Sequence, residues 1–148
     1  MKKFQFGLET VLSYKQQVLD ALQGEQAVLL GRVAQQEQHL RDLQSAYEQA
    51  GADYRDHCAQ GLEIRELLAW QAELRARERE LESETRTLIQ LQREAEEKRK
   101  EVVAAKQDTS SIEKLREKQL TSYHRQEAKS QEQLIEEFVS SRRVSRGA

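Results

Sequence analysis

The sequence predicts an all-α fold, an antiparallel two-helix coiled-coil hairpin with a longer C-terminal helix. Strong helix formers dominate a chain of 148 residues that contains no proline, so no residue forces a helix to stop. Apolar residues recur at heptad spacing on both sides of a single interruption near Gly61. The stretch after the interruption is longer than the stretch before it.

Composition narrows the class of protein further. Charged residues make up 34% and aromatic residues 5% of the chain, which is poor material for a compact core and would also suit a disordered chain. The regular apolar periodicity favours helices over disorder. A net charge of −2, from 24 basic and 26 acidic residues, predicts no nucleic-acid partner.

The first helix is predicted over about 8–59. Stepping by four and three residues from Leu8 gives fourteen heptad positions, of which only Lys15, Gln26 and Gln36 are polar. Such a stripe, sustained over four heptads, is typical of a coiled coil. Val11 widens the stripe near the start of this helix.

The reversal of the chain is predicted within about 56–64. The apolar pattern falters there, and Gly61 is suited to the left-handed conformation that ends many helices. A straight continuation of one helix through this region is the alternative.

The second helix is predicted over about 62–140, followed by a frayed basic tail at 141–148. Its apolar residues repeat every seven positions: Leu67, Leu74, Leu81, Leu88, Ala95 and Val102. Ser110 or Ser111 could cap a new segment, or the helix could run through. A last apolar stripe, which begins at Ile112, no longer matches the upstream heptad phase.

Unequal arms give the hairpin a free end. Pairing around Gly61 sets Leu8 near the level of Ile112, and roughly the last 25 helical residues, about 40 Å at 1.5 Å per residue, should extend alone. Phe4 and Phe6 would then lie where the shorter arm ends. They could staple the start of the helix, contact a partner directly, or do both.

No catalytic residue, cofactor site or metal site is predicted, and we expect the protein not to be an enzyme. His39, His57 and His124 are scattered along polar helix surfaces, and a two-helix coiled coil has little interior to shift a pKa or exclude water. His57 and Cys58 are adjacent, but neighbouring helical residues point about 100° apart. A lone cysteine and the lack of a long apolar run predict a cytoplasmic protein that does not insert into the membrane.

The N-terminal and C-terminal sequence segments resemble those of a known protein family. The start "FQFGLETVLSYKQQ" and the ending "IEKLREKQLTSYHRQEAKSQEQLIEEFVSSRR", together with the heptad-rich hairpin, resemble the FliJ family of the bacterial flagellar protein export apparatus. One departure is Gln131, where many relatives are expected to carry an acidic residue.

The resemblance implies a non-enzymatic stalk and adaptor, similar to the central stalk of rotary ATPases. Its implied partners are the hexameric export ATPase, whose assembly and activity it promotes, the cytoplasmic part of the membrane export gate, and export chaperones. The implied location is the cytoplasm, at the periphery of the inner-membrane export apparatus, and the free protein is expected to be a monomer.

The resemblance also assigns residues to two partner-binding sets. The set implied to face the ATPase ring, called here the ATPase set, comprises Phe4, Leu8, Leu120, Tyr123, Leu134 and Phe138. The set that matches the family's gate-binding positions, called here the gate set, comprises Gln36, Leu40, Leu43, Tyr47, Trp70 and Leu74. Arg77 and Leu81 occupy the remaining gate positions but differ in residue type.

The gate set poses a conflict, because its members on the first helix also fall on the heptad stripe. They are either core residues of the hairpin or exposed partner contacts, and the sequence leaves both readings open. A generic homodimeric coiled-coil scaffold is the alternative function, and a small hydrolase or metal protein would require a pocket that the sequence does not suggest.

Overall fold

A computed structural model describes residues 2–147. Helix α1 spans Glu9–Gln60 and helix α2 spans Ile64–Arg146, with lengths of 52 and 83 residues. No strand occurs within residues 2–147. The all-α class and the longer second helix are confirmed.

The chain reverses over three residues. Gly61 has φ of 95°, and its N–H donates to the Cys58 carbonyl at 3.2 Å. A left-handed residue directly after the last helical residue ends α1 as a C′ glycine does. α2 begins at Ile64, so the alternative of one unbroken helix is excluded.

The chain divides into two compact units: residues 21–103, and residues 2–20 together with 104–147. The first, called here the turn unit, contains the reversal and carries half-buried positions on α2 at alternating steps of three and four residues from Leu67 onward. Ala50, Ala95 and Val102 are its buried apolar residues. This periodicity matches the predicted heptads on both helices.

Polar groups interrupt the apolar seam of the turn unit. Gln36 Nε2 donates to the Glu84 carboxylate at 2.5 Å and to the Glu84 carbonyl at 3.0 Å. Lys98 Nζ lies 2.8 Å from carboxylate oxygens of both Glu25 and Glu101. These carboxylates raise the pKa of Lys98, the Glu101 hydrogen bond contributing most. Polar residues at seam positions favour one register over others.

The second unit, called here the terminal unit, sets the start of α1 against α2. Arg116 pairs with Glu9 at 3.1 Å and Lys15 with Asp108 at 3.6 Å, which makes the helices antiparallel. The pairing of Glu9 with Arg116 places the start of α1 about one helical turn further along α2 than the expected level of Ile112. Phe6, Leu12 and Thr109 are buried here.

Helix α2 runs through the predicted cap site without a break. The Thr109 hydroxyl donates to the Ala105 carbonyl at 2.8 Å, and the Ser111 hydroxyl to the Gln107 carbonyl at 2.9 Å. Each hydroxyl bonds the carbonyl four residues back, which is compatible with continuous helix. α2 then continues to Arg146, past the boundary near 140 that the sequence indicated.

The predicted change of phase after Ile112 appears in the burial pattern of α2. Half-buried or buried residues occur at 109, 112, 116, 120 and 123, so two successive steps of four replace the alternation of three and four. Such an insertion is a stutter, which locally unwinds a coiled coil. Every residue from 128 to 147 is exposed; this part of α2 is called here the free end.

Candidate partner-binding surfaces

The N-terminal phenylalanines, Phe4 and Phe6, pack against other residues of the same chain. The Phe4 and Tyr123 rings lie 5.6 Å apart, and the Arg116 guanidinium stands 5.8 Å from the Phe4 ring centroid. The Tyr123 hydroxyl donates to the Lys2 carbonyl, and Phe6 is 7% exposed. The segment before α1 is thereby held against α2.

The ATPase set falls into a packed and an exposed group. Phe4, Leu120 and Tyr123 are half-buried, and Leu8 is 39% exposed. Leu134 and Phe138, by contrast, are 65% and 61% exposed. The structure therefore brings Phe4 and Tyr123 together but leaves Leu134 and Phe138 on the free end.

The free end carries more apolar surface than the ATPase set includes. Ile135 and Val139 are also exposed, and their spacing places them beside Leu134 and Phe138 on one helix face. Arg142 lies over the Phe138 ring at 5.3 Å. These four apolar residues, called here the free-end face, are recognisable in the sequence from their i, i+4 spacing.

The gate set lies along the seam of the turn unit. All six of its residues are half-buried, so the set is neither a closed core nor a fully exposed surface. Gln36 is engaged by Glu84, as described above. Glu78 and Glu84 were not singled out from the sequence, although Glu84 occupies a heptad position that an apolar residue would normally fill.

Tyr47 is tied to the opposite helix by its hydroxyl. It donates to Glu78 Oε1 at 2.5 Å. This hydrogen bond is the main reason that the pKa of Tyr47 lies above its ordinary value, and desolvation and the Glu78 charge act in the same direction. The phenol is therefore in its neutral form at neutral pH.

Trp70 belongs to an aromatic cluster beside the turn. Its ring centroid lies 5.3 Å from that of His57 and 6.2 Å from that of Tyr54. The His57 ring is itself fixed by its Nδ1, 2.7 Å from the Asp53 carbonyl. Trp70, His57, Leu62, Glu66, Ala69 and Glu73 line a pocket of about 330 Å³, called here the turn pocket.

The two weaker gate positions differ in their surroundings. Arg77 donates to Glu73 at 3.1 Å, while its Nε is buried without a hydrogen-bond partner within residues 2–147. Leu81 is half-buried on the seam. A guanidinium at a seam position is therefore only partly satisfied by this chain.

The three histidines lie apart from one another. His39 Nε2 is 4.0 Å from Glu84, His57 packs on Trp70, and His124 Nδ1 is 3.7 Å from Glu127. The part of the chain that the structure describes contains no group of three or more His, Cys, Asp or Glu residues placed to hold a metal ion. Neither helix, over that same part, has an apolar stretch long enough to span a bilayer.

Comparison with known protein families gives a match over nearly the whole chain. A family model described as the flagellar FliJ protein matches residues 4–148. No curated protein and no solved structure gives a significant match.

Proposed function

The chain belongs to the flagellar FliJ family, and on that premise we propose that it is a non-enzymatic stalk and adaptor of the flagellar protein export apparatus. Membership of the family implies a role related to flagellar export. The proposed partners are the hexameric export ATPase, the cytoplasmic part of the export gate and export chaperones. The protein acts in the cytoplasm, peripherally associated with the inner-membrane export apparatus.

The free-end face is the observation that carries the ATPase part of the proposal. It consists of four exposed apolar side chains on one side of a helix, and Leu134 and Phe138 are among them. Exposed apolar faces of this kind commonly mark protein-binding surfaces. An apolar groove or ring lumen of the ATPase could cover the face and gain the free energy of its burial.

The ATPase proposal is tested with a double variant, Leu134→Gln and Phe138→Gln. We expect it to lose most of the stimulation of hydrolysis and of hexamer formation that the wild-type protein gives when mixed with the purified export ATPase. Val144→Gln is the matched control, because Val144 is 75% exposed on the same helix but on another face. Equal stimulation by wild type and double variant would contradict the ATPase proposal.

The gate set is proposed to bind the export gate through the half-buried seam of the turn unit. Support comes from Tyr47 and Trp70, since aromatic side chains commonly anchor protein interfaces. Trp70→Ala and Leu74→Ala should each weaken binding of a cytoplasmic gate fragment, measured by titration calorimetry. Ile64→Ala serves as the control, because Ile64 is 75% exposed in the first turn of α2 and lies outside the set.

A homodimeric scaffold is the second candidate function. The observation in its favour is the same free-end face, because two copies could bury their faces against each other. The ATPase assay and the measurement of assembly state described below separate the two candidates.

A further inference from the structure

We propose that the turn pocket binds a cationic side chain, lysine or arginine, of a protein partner. The inference rests on the proposed gate-binding role, because Trp70 belongs to the gate set. The inference goes beyond that role by naming the chemical group of the partner that enters the pocket. The occupant is a basic segment of a protein, with one long side chain inserted in the pocket.

Helical spacing builds one wall of the pocket. Glu66, Trp70 and Glu73 follow one another at steps of four and three, so they lie on one face of α2. Ala69 adds only a methyl group to this wall, which leaves space beside the indole. His57 comes from the last turn of α1 and Leu62 from the reversal, so the three-residue turn closes the other side.

The indole of Trp70 offers a π surface for a cation. The side chain is half-buried, and the rings of His57 and Tyr54 fix its orientation at 5.3 and 6.2 Å. Tryptophan is the best of the aromatic residues for cation–π contact, and a fixed ring loses less entropy on binding than a mobile one.

The charge around the pocket favours a positive occupant. Residues 53–73 contain five acidic and two basic side chains. The whole turn unit contains 17 acidic and 12 basic residues. An anionic ligand would be repelled from this region, whereas a basic segment would be attracted to it.

Glu73 shows that the pocket rim accepts a guanidinium. Its Oε1 receives the hydrogen bond from Arg77 Nη2 at 3.1 Å, yet its side chain remains 53% exposed. A carboxylate can accept hydrogen bonds at both oxygens. Glu73 can therefore bind a second cation while it keeps its contact with Arg77.

The size of the pocket suits one long side chain. Its volume of about 330 Å³ lies near the lower end of the range of about 300–1,000 Å³ for small-molecule sites. A lysine or arginine stem would lie along Ala69 and Leu62, and its charged head would reach Glu66 and Glu73.

The test uses the fluorescence of Trp70, the single tryptophan of the chain. The probe is a 15-residue amphipathic helical peptide with five arginines, and its counterpart carries the neutral isostere citrulline at the same five positions. We expect the arginine peptide to change Trp70 emission saturably and the citrulline peptide to bind at least tenfold more weakly. Equal binding of the two peptides would overturn the requirement for a cation.

Variants locate the binding on the pocket. Glu66→Gln and Glu73→Gln should each weaken arginine-peptide binding by about three- to tenfold. Trp70→Leu should weaken the binding more than Trp70→Phe does, because phenylalanine keeps an aromatic ring. A fluorescein-labelled peptide measures the affinity of each variant. Glu80→Gln is the matched control, since it removes one exposed charge from α2 outside the pocket. If Glu80→Gln weakens binding as much as the pocket variants, binding is general charge attraction and the pocket assignment is wrong.

The gate fragment separates this inference from the proposed function. A fragment that binds wild type but binds Glu66→Gln and Glu73→Gln more weakly supports both. A fragment that binds wild type and both variants equally overturns the pocket inference and leaves the gate role intact. If the fragment binds none of them, the gate role fails, and the peptide titration alone decides whether the pocket takes a cation.

Discussion

The hydrogen bond between Tyr47 and Glu78 makes part of the folding stability depend on pH. The neutral phenol donates to Glu78, and the pKa of Tyr47 is raised above its ordinary value of 10.0. A raised folded-state pKa contributes stability that is present below the unfolded pKa and is lost as pH rises through the folded pKa. The loss should therefore begin only on the alkaline side of pH 10.

Tyr47→Phe tests this contribution. We expect the variant to be less stable than wild type at pH 8, and the difference to shrink as pH rises above 10, because ionised Tyr47 no longer donates to Glu78. Urea unfolding at a series of pH values measures both effects. Tyr14→Phe, at a side chain that is 66% exposed, is the matched control for loss of a phenol hydroxyl. A stability difference between Tyr47→Phe and wild type that stays constant up to pH 11 would contradict the prediction.

Phe6 is expected to hold the segment before α1 in place. Phe6→Ala removes a ring that is 7% exposed, which should cost about 3 kcal/mol, the lower end of the range for such truncations. Faster hydrogen exchange at the amides of the first turns of α1 would register the loss. Tyr14→Ala on the exposed side of α1 is the control, and unchanged exchange in Phe6→Ala would mean that Phe6 contributes little to local stability.

Substitution by alanine should change the free energy of unfolding in opposite directions at two of the glycines. Gly61→Ala places a β-carbon at φ of 95° and should destabilise the hairpin by about 1–2 kcal/mol. Gly24→Ala, in the interior of α1 where an added methyl meets no atom within 4 Å, should stabilise it by about 0.5–1 kcal/mol. Urea unfolding measures the free energy of unfolding of both variants. Equal changes in this free energy would mean that the left-handed turn is not a determinant of the fold.

The sequence was sufficient to predict the helices and their seam. Heptad spacing identified Leu12, Ala50, Ala95 and Val102, which are all buried, because periodicity depends only on the geometry of one helix. The continuation through Thr109 and Ser111 could not be decided beforehand. Their hydroxyls can cap a helix or bond backward within it, and both choices satisfy the same local chemistry.

The surroundings of the candidate sites were less predictable. Spacing placed Tyr47 on the heptad stripe and the family resemblance placed Trp70 in the gate set, but their neighbours Glu78 and His57 follow from the register between the helices. That register depends on where the three-residue turn begins. A shift of one residue there changes every pair across the seam, which is why the turn pocket could not be derived from the sequence.

The assembly state is a property of the whole molecule that the free-end face should control. We expect the protein to sediment as a monomer at micromolar concentration, because four exposed apolar side chains form a small patch for a stable dimer. Any association at higher concentration should be reduced by the Leu134→Gln and Phe138→Gln double variant and not by Val144→Gln. A stable dimer at micromolar concentration would favour the scaffold function instead.

The exposure of the free end has a thermodynamic consequence for the proposed binding to the ATPase. Most of the stability of a helix in a protein comes from packing of its apolar face. Residues 128–147 are all exposed, so this segment should melt at a lower temperature than the paired helices. Warming would then increase the conformational entropy that a receptor must remove when it captures the segment. Its affinity should consequently fall with temperature more steeply than burial of the apolar face alone would dictate.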